Sequence, residues 1–513
     1  MIAALAIGLV RLTPVQGYPP ILSGDRPNII VVLVDDMGVM DTSVPFLTDR
    51  DGHPVRHPLN ERYRTPNMEK LCERGIRFSQ FYAMSVCSPS RISWMTGQNA
   101  ARHRTTNWID PDSNNAGPGG PSDWNWRGLT EGDVTLPRLL QINGYRTIHI
   151  GKGHFGPRGS EGADPVRLGF DINVGGASIG QPGSYFASQQ FGATKPNARY
   201  AVPGLEAYYG TEMFLTEALT VEAVRHMDDA VREGKPFYLN FCHYAVHAPF
   251  QADPRFSSHY QQEEWPEAAR AFASLVEGMD HSLGTILEHV ESLGISDETL
   301  VIVLGDNGSD APLGGAHEVA CSAPLRGKKG SHYEGGMRVP MIAAWAHPNP
   351  GHPCQSRFPI ARGEIQQQMA VIYDWFPTLL ELAQVESPHG YPVDGRSLQR
   401  LLSGQSDPGH SERFLMHYPH APHRSDHFTV YREGRWKLIY HYFPSTVSNG
   451  SHYQLFDLVD DPFEQTDQSL QEPARLAEMV LQMSNQLDAQ SALYPEKQDH
   501  VPVRPVLPGN RSD

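Results

Sequence analysis

The sequence predicts an α/β protein: a large, mostly parallel sheet flanked by helices, with a smaller C-terminal α+β subdomain. Three observations carry this reading. Asn28–Val34 is an unbroken apolar, β-branched run, the pattern of a strand buried on both faces. Further apolar runs then alternate with helical patterns, which makes a parallel sheet the economical arrangement. After about residue 405 the pattern changes to short strands, a tight turn and a closing polar helix.

In chain order, Thr65-Pro66 opens a helix carrying Met68, Leu71 and Cys72 at helical spacing. Thr65 suits its cap, Pro66 its first turn and Gly75 its stop. A strand is expected from about Ile76 to Tyr82. Pro89 suits the first turn of the next helix, which runs through Ile92, Trp94 and Met95 to Gly97. Leu136 to Ile142 is a short helix, and Tyr145 to Ile150 and Phe237 to Phe241 are strands. A long helix spans roughly Glu267 to Leu293, with Phe272, Leu275, Met279, Leu283 and Ile286 in its apolar stripe and Gly294 as its stop. Leu300 to Leu304 is another strongly apolar strand. Phe414 to His417, Phe428 to Tyr431 and Trp436 to Tyr440 read as short strands, the last two joined at Glu433-Gly434, and a polar helix covers about Glu472 to Gln490. The expected division is a leader at 1–24, a catalytic body at 25–405 and a subdomain with tail at 406–513.

Bulk properties narrow the function. The chain has 513 residues and a formal net charge of −16. No basic field is present to hold nucleic acid, and an anionic substrate needs a locally positive site. The five cysteines, Cys72, Cys87, Cys242, Cys321 and Cys354, show neither zinc spacing nor a disulfide framework. Residues 2–10 are apolar but too few to span a bilayer. They fit the core of a secretory signal with Val15-Gln16-Gly17 as cleavage site, although no basic start precedes them. This points to a periplasmic or secreted protein, and no later segment reads as membrane-spanning.

Two strand ends carry acids. The first strand runs into Asp35-Asp36, and Leu300–Leu304 runs into Gly305-Asp306-Asn307-Gly308. Ligands in open α/β sheets sit beyond the carboxyl ends of strands. Three carboxylates and an amide in one place repel until a cation joins them, and hard oxygen donors favour Ca²⁺ or Mg²⁺. Either motif alone is as readily a helix or turn cap. Cys87 falls at a helix N-terminus, where amide N–H groups favour anions, and Arg91 lies one turn further on. A lone cysteine is most often a small buried hydrophobe, but Pro89-Ser90-Arg91 sets this one apart.

Cys87-Ser88-Pro89-Ser90-Arg91, followed by Thr96-Gly97, resembles the signature of the formylglycine-dependent type I sulfatases of the alkaline phosphatase superfamily. Asp35-Asp36, Gly151-Lys152-Gly153-His154, His247-Ala248-Pro249-Phe250, Asp306-Asn307-Gly308 and Leu325–Gly330 with Tyr333–Gly336 resemble that family's further segments in order. The likeness runs over roughly residues 27–467, ending with Leu455-Phe456-Asp457-Leu458 and Asp461-Pro462.

The resemblance implies an alkaline phosphatase-like fold and sulfate-ester hydrolysis. Cys87 would be oxidised to Cα-formylglycine by a maturation enzyme, and its hydrate would be the nucleophile. Asp35, Asp36, Asp306, Asn307 and modified Cys87 would hold Ca²⁺, or Mg²⁺. Arg91 would orient the diol, and Lys152 and Lys329 would bind sulfate oxygens. His247 with Lys329 would serve the leaving alcohol. His154 would take the proton that lets the sulfated enzyme intermediate collapse. Lys328 is expected to be a solvated neighbour. His243, His317 and His332 have no counterpart in the motifs and are assigned to loops or to support of the site. His417, His420, His423 and Arg424 are expected to border the substrate pocket. The segments Asn99–His103, Asn107-Trp108 and Gly175–Tyr185 resemble bacterial carbohydrate sulfatases, which implies a sulfated sugar of galactose or N-acetylgalactosamine type as well as simple aryl sulfates. A phosphonate monoester or phosphodiester hydrolase using the same nucleophile, and a noncatalytic sulfoglycan-binding protein, are the competing readings.

Overall fold

The computed structural model describes residues 26–262, 264–420 and 424–509, so the expected leader at 1–24 and His423 lie outside the described residues. Its strands, in chain order, are β1 Asn28–Val34, β2 Ile76–Phe78, β3 Phe81–Tyr82, β4 Arg146–Gly151, β5 Ile172–Val174, β6 Phe237–His243 and β7 Thr299–Gly305. They continue with β8 Met341–Trp345, β9 Glu364–Gln366, β10 Ala370–Val371, β11 Arg413–Tyr418, β12 Phe428–Glu433, β13 Trp436–His441 and β14 Tyr453–Asp457.

Eight strands form one sheet in the order β5-β4-β6-β1-β7-β8-β2-β9. The five from β5 to β7 are mutually parallel, and β9 is parallel to β2. Only β8 runs against its neighbours β7 and β2. The predicted α/β class is therefore borne out, with β1 at the centre. All of β1 is buried because both faces are covered. Ile29, Val31 and Leu33 pack with the helices Cys87–Thr96, Leu136–Ile142 and Trp375–Ala383. Ile30, Val32 and Val34 pack with Pro66–Arg74, Leu215–Arg232 and Glu267–Ser292 on the other face.

Two local expectations change. The strand over Ile76–Tyr82 divides, with β2 in the large sheet and β3 paired in parallel with β10. Arg338 Nε donates to the Ser79 carbonyl at 2.8 Å at this break. Thr65 sits at the cap position of Pro66–Arg74, but its side chain does not cap. Its hydroxyl is taken up by Thr42 and Ser43. Asp280, from the long helix, instead accepts the Asn67 and Met68 N–H groups at 3.0 and 2.8 Å.

The C-terminal sheet is antiparallel in the order β11-β12-β13-β14. The helix Pro473–Ala489 buries Leu476, Met479, Val480, Met483 and Leu487. A buried charge trio joins this sheet to the catalytic body. Lys437 Nζ on β13 lies 3.0 Å from Glu334 Oε1 and 2.6 Å from Glu464 Oε1.

Candidate active site

The register of β1 on β7 places Val34 opposite Gly305, so Asp35-Asp36 and Asp306-Asn307 leave the sheet side by side. Asp36 takes a left-handed φ of 59°, an uncommon conformation for a residue with a side chain. The Asp36 N–H donates to Asp306 Oδ1 at 3.1 Å. Asp35, Asp36 and Asp306 are fully buried and each brings an oxygen within 4.8 Å of the others. Asn307 Nδ2 donates to Asp36 Oδ1 at 2.9 Å, while its buried Oδ1 has no hydrogen-bond partner among the described residues. Three carboxylates and an orphaned amide oxygen fit a hard divalent cation.

Cationic side chains surround this group. Lys152 Nζ lies 2.7 Å from both Asp35 oxygens, and Lys329 Nζ lies 2.7 and 2.8 Å from those of Asp36. Arg91 Nε donates to Asp306 at 2.8 Å and Nη1 to the Lys152 carbonyl at 2.9 Å. Burial nevertheless pushes the Asp35 carboxyl up to about 6, against Lys152 and with help from Asp36. Burial likewise pushes Asp306 up to about 6 against Arg91. At Asp36 burial also opposes ionisation, but His247 and Lys329 outweigh it and hold the carboxyl well below the usual carboxylate range. A bound cation relieves the cost left on Asp35 and Asp306.

Cys87 begins the helix Cys87–Thr96, which Gly97 ends at φ 69°. Its Sγ lies 3.3 Å from His154 Nδ1. His154 Nε2 lies 2.7 Å from the Ile109 carbonyl, which only accepts, so Nε2 carries the hydrogen and Nδ1 presents its lone pair to Cys87. Burial, then Lys152, holds His154 well below the ordinary histidine range. His247 Nε2 is 3.4 Å from Asp36 Oδ2, and burial brings His247 down to about 4 against the pull of Asp36. These groups close the inner end of a cavity of about 260 Å³, whose wall includes Trp108, Gln181, Tyr200, Asp310 and Arg424.

The sulfatase family profile matches residues 27–385. The chain belongs to the sulfatase family. A second profile, of the N-sulphoglucosamine sulphohydrolase C-terminal region, matches residues 328–492. This sulfatase is 31% identical to mouse N-acetylgalactosamine-6-sulfatase over 74% of its own length and 67% of the mouse protein. It is 30% identical to human arylsulfatase A over 86% of its own length and 78% of that protein. The match to human N-acetylgalactosamine-6-sulfatase spans just under two thirds of that relative, at 66%. Among solved structures, Ps i-CgsB superposes with a TM-score of 0.70 at 24% identity, covering 90% of this chain and 93% of that one. A sulfatase from Pseudoalteromonas sp., PsFucS1, superposes with a TM-score of 0.66 at 23% identity over 91% of both chains. Both structures share the fold of this sulfatase.

The structure brings together Asp35, Asp36, Cys87, Arg91, Lys152, His154, His247, Asp306, Asn307 and Lys329, as the motif order leads one to expect. Other expectations change. Lys328 is not solvated: it is buried, with Nζ 3.0 Å from the Ala311 carbonyl and 3.4 Å from Asp310. His243 is the last residue of β6 rather than a loop residue. Among the described residues of the cluster near residue 420, Arg424 alone lines the cavity. His417 is buried against Thr429 and the Leu493 carbonyl, and His420 against Thr106 and the Ala116 carbonyl. Asp310 escaped the sequence reading. It lies four residues past Asp306 and pairs with Arg424 through both guanidinium Nη atoms. Its only sequence signal is that proximity.

Proposed function

We propose that this sulfatase hydrolyses a sulfate ester on a sulfated carbohydrate, using the hydrate of a formylglycine made from Cys87. The observation that carries the reading is that Cys87, His154, His247 and Lys329 line one cavity, with His247 and Lys329 also in contact with Asp36 of the buried aspartate cluster. Cys87 Sγ stands in for a hydroxyl oxygen of the hydrate. Asp35, Asp36, Asp306 and Asn307 would hold Ca²⁺, which supplies charge neutralisation and polarisation of the sulfate when bound.

The remaining chemistry belongs to the chain. Arg91, one turn along the helix from position 87, fixes that position relative to Asp306. Lys152 and Lys329 present ammonium charges to sulfate oxygens, which reconciles an anionic substrate with a net charge of −16. His154 takes a proton at Nδ1 from the hydroxyl at position 87 that does not carry the sulfuryl group, and this drives sulfate off. His247, with Lys329, protonates or stabilises the leaving alcohol oxygen.

The likeness to N-acetylgalactosamine-6-sulfatase supports an N-acetylgalactosamine-type sulfate as the first substrate to test, and the sequence resemblance adds a galactose-type sulfate. The division into a body at 25–405 and a subdomain at 406–513 is supported by the start of the antiparallel sheet at Arg413. Among the described residues no helix is long and apolar enough to cross a membrane. Export to the periplasm or medium is proposed from the apolar residues 2–10. The test uses protein made with a formylglycine-generating enzyme and verified by intact mass. It is assayed on sulfated mono- and oligosaccharides and on an aryl phosphodiester. Sulfate release with little phosphodiester cleavage is expected, and a clear preference for the phosphodiester overturns the reading.

A further inference from the structure

A second group of ligating side chains lies where the segment after Lys329 meets the C-terminal sheet. His332, Asp426 and His441 each bring a ligand atom within 4.8 Å of the others. His332 precedes the short helix Glu334–Met337, Asp426 precedes β12, and His441 ends β13. Both histidines are fully buried. Their rings meet edge to face at 4.9 Å, and His317 stacks on His332 at 5.2 Å.

Hydrogen bonding leaves this group incomplete. His332 Nδ1 lies 2.7 Å from Ser425 Oγ, but its buried Nε2 has no partner among the described residues, and neither does His317 Nδ1. His441 Nε2 lies 3.0 Å from Gln454 Oε1, an oxygen that only accepts, so Nε2 carries the hydrogen. His441 Nδ1 then faces the Asp426 carboxylate at 2.9 and 3.0 Å with a lone pair, unless a second proton or a cation lies between them. A metal ion would satisfy His332 Nε2 and this contact together.

We propose that His332, Asp426 and His441 bind a zinc ion, with His317 or water completing the coordination. The donor set favours a borderline metal over calcium. Two imidazoles and one carboxylate suit zinc, whereas the all-oxygen group at Asp35, Asp36, Asp306 and Asn307 suits calcium. Ser425 Oγ and Gln454 Oε1 occupy the outer nitrogens of the two rings, the usual way of fixing a ligand histidine's tautomer. Tetrahedral zinc with bonds of ~2.0–2.1 Å separates its ligand atoms by roughly 3.3 Å, so closure from the present spacing needs modest side-chain rotation. The nearby cation Lys437 is already paired with Glu334 and Glu464, and Arg326 lies over the Tyr333 ring at 3.8 Å. The ion would staple the segment carrying Lys329 to β12 and β13.

The test is elemental analysis of the full-length protein, expressed with zinc present and dialysed into calcium buffer. About one equivalent of zinc per chain is expected. The double variant His332→Gln/His441→Gln should lower zinc affinity by about tenfold or more while calcium content is unchanged. Because that variant can also disturb folding, metal-depleted wild-type protein is titrated with Co²⁺ in parallel. A visible absorption band of tetrahedral, nitrogen-ligated Co²⁺, displaced by zinc, is expected. Wild-type protein that retains no zinc and gives no such band overturns the proposal, leaving His441 and Asp426 as a simple ion pair. A band of full strength in the double variant overturns it equally, because the metal then lies elsewhere.

Discussion

His154 is held from three sides. Nε2 is fixed by the Ile109 carbonyl, Nδ1 faces Cys87, and Gly180 lies against the ring so closely that a Cβ there would come within 2.7 Å of Cε1. The proposed proton acceptor is therefore held in position. His154→Ala should lower kcat about 10²–10⁴-fold, as expected for loss of a general base. Gly180→Ala leaves the imidazole in the protein but displaces it, and should lower kcat by up to ~10²-fold. Steady-state kinetics on one sulfated saccharide checks both, with unchanged circular dichroism showing that the fold survives. At this scale the sequence was informative wherever a residue stood inside a distinctive motif, as Cys87, Lys152 and His154 do. It was silent on Asp310 and wrong about Lys328, expected in solvent but buried, because neither a partner such as Arg424 nor burial is encoded in spacing.

Helix ends show a different limit. The start of Pro66–Arg74 was legible from Thr65-Pro66, but its cap was not, because Asp280 supplies it from 212 residues away. Asp280→Ala should cost ~0.5–2 kcal/mol of stability, the range for losing an N-terminal cap, measured as a lower urea midpoint with an unchanged m-value. The strand expected over Ile76–Tyr82 failed for a related reason. Phe78 and Phe81-Tyr82 flank a short polar break at Ser79-Gln80, and the departure from the large sheet is marked by long-range contacts at Ser79. The helix Leu215–Arg232 carries a readable signal, since Leu215, Leu219, Ala223 and Met227 recur every four residues on its buried side. Strands buried on both faces were the plainest elements, because a continuous β-branched run has few other uses.

Across the whole molecule, charge pairs tie distant parts together. Lys437 is buried between Glu334 and Glu464, so Lys437→Met leaves Glu464 without its cation and Glu334 with Arg338 alone at 3.7 Å, and should cost ~3–5 kcal/mol. Thermal unfolding of the variant, followed with a probe in each sheet, should show the C-terminal sheet loosening first. Removing the proposed cation has a signed pH dependence. In the metal-free chain burial pushes the Asp35 and Asp306 carboxyls up to about 6, from the usual carboxylate value near 3.8. The folded state then binds more protons than the unfolded one between these values, so stability is lost as pH rises through about 6. The drop in Tm on adding chelator should therefore be larger at about pH 7.5 than at about pH 5. The ordered motifs made the composition of the site legible, but not how its charges divide among Lys152, Lys329 and Arg91, because that depends on the parallel register of β1 and β7.

The ion pair of Asp36 with Lys329 joins residues 293 positions apart. At ~5–20 residues per second, a ribosome needs roughly 15–60 s to travel from one to the other. For that interval the nascent chain carries its acidic pair without the lysine that will face it, and β1 without its neighbour β7. Cys87 is meanwhile on an open chain, whereas the finished fold leaves it only 3% exposed. Any enzyme that modifies that thiol must therefore reach it before the fold closes over it.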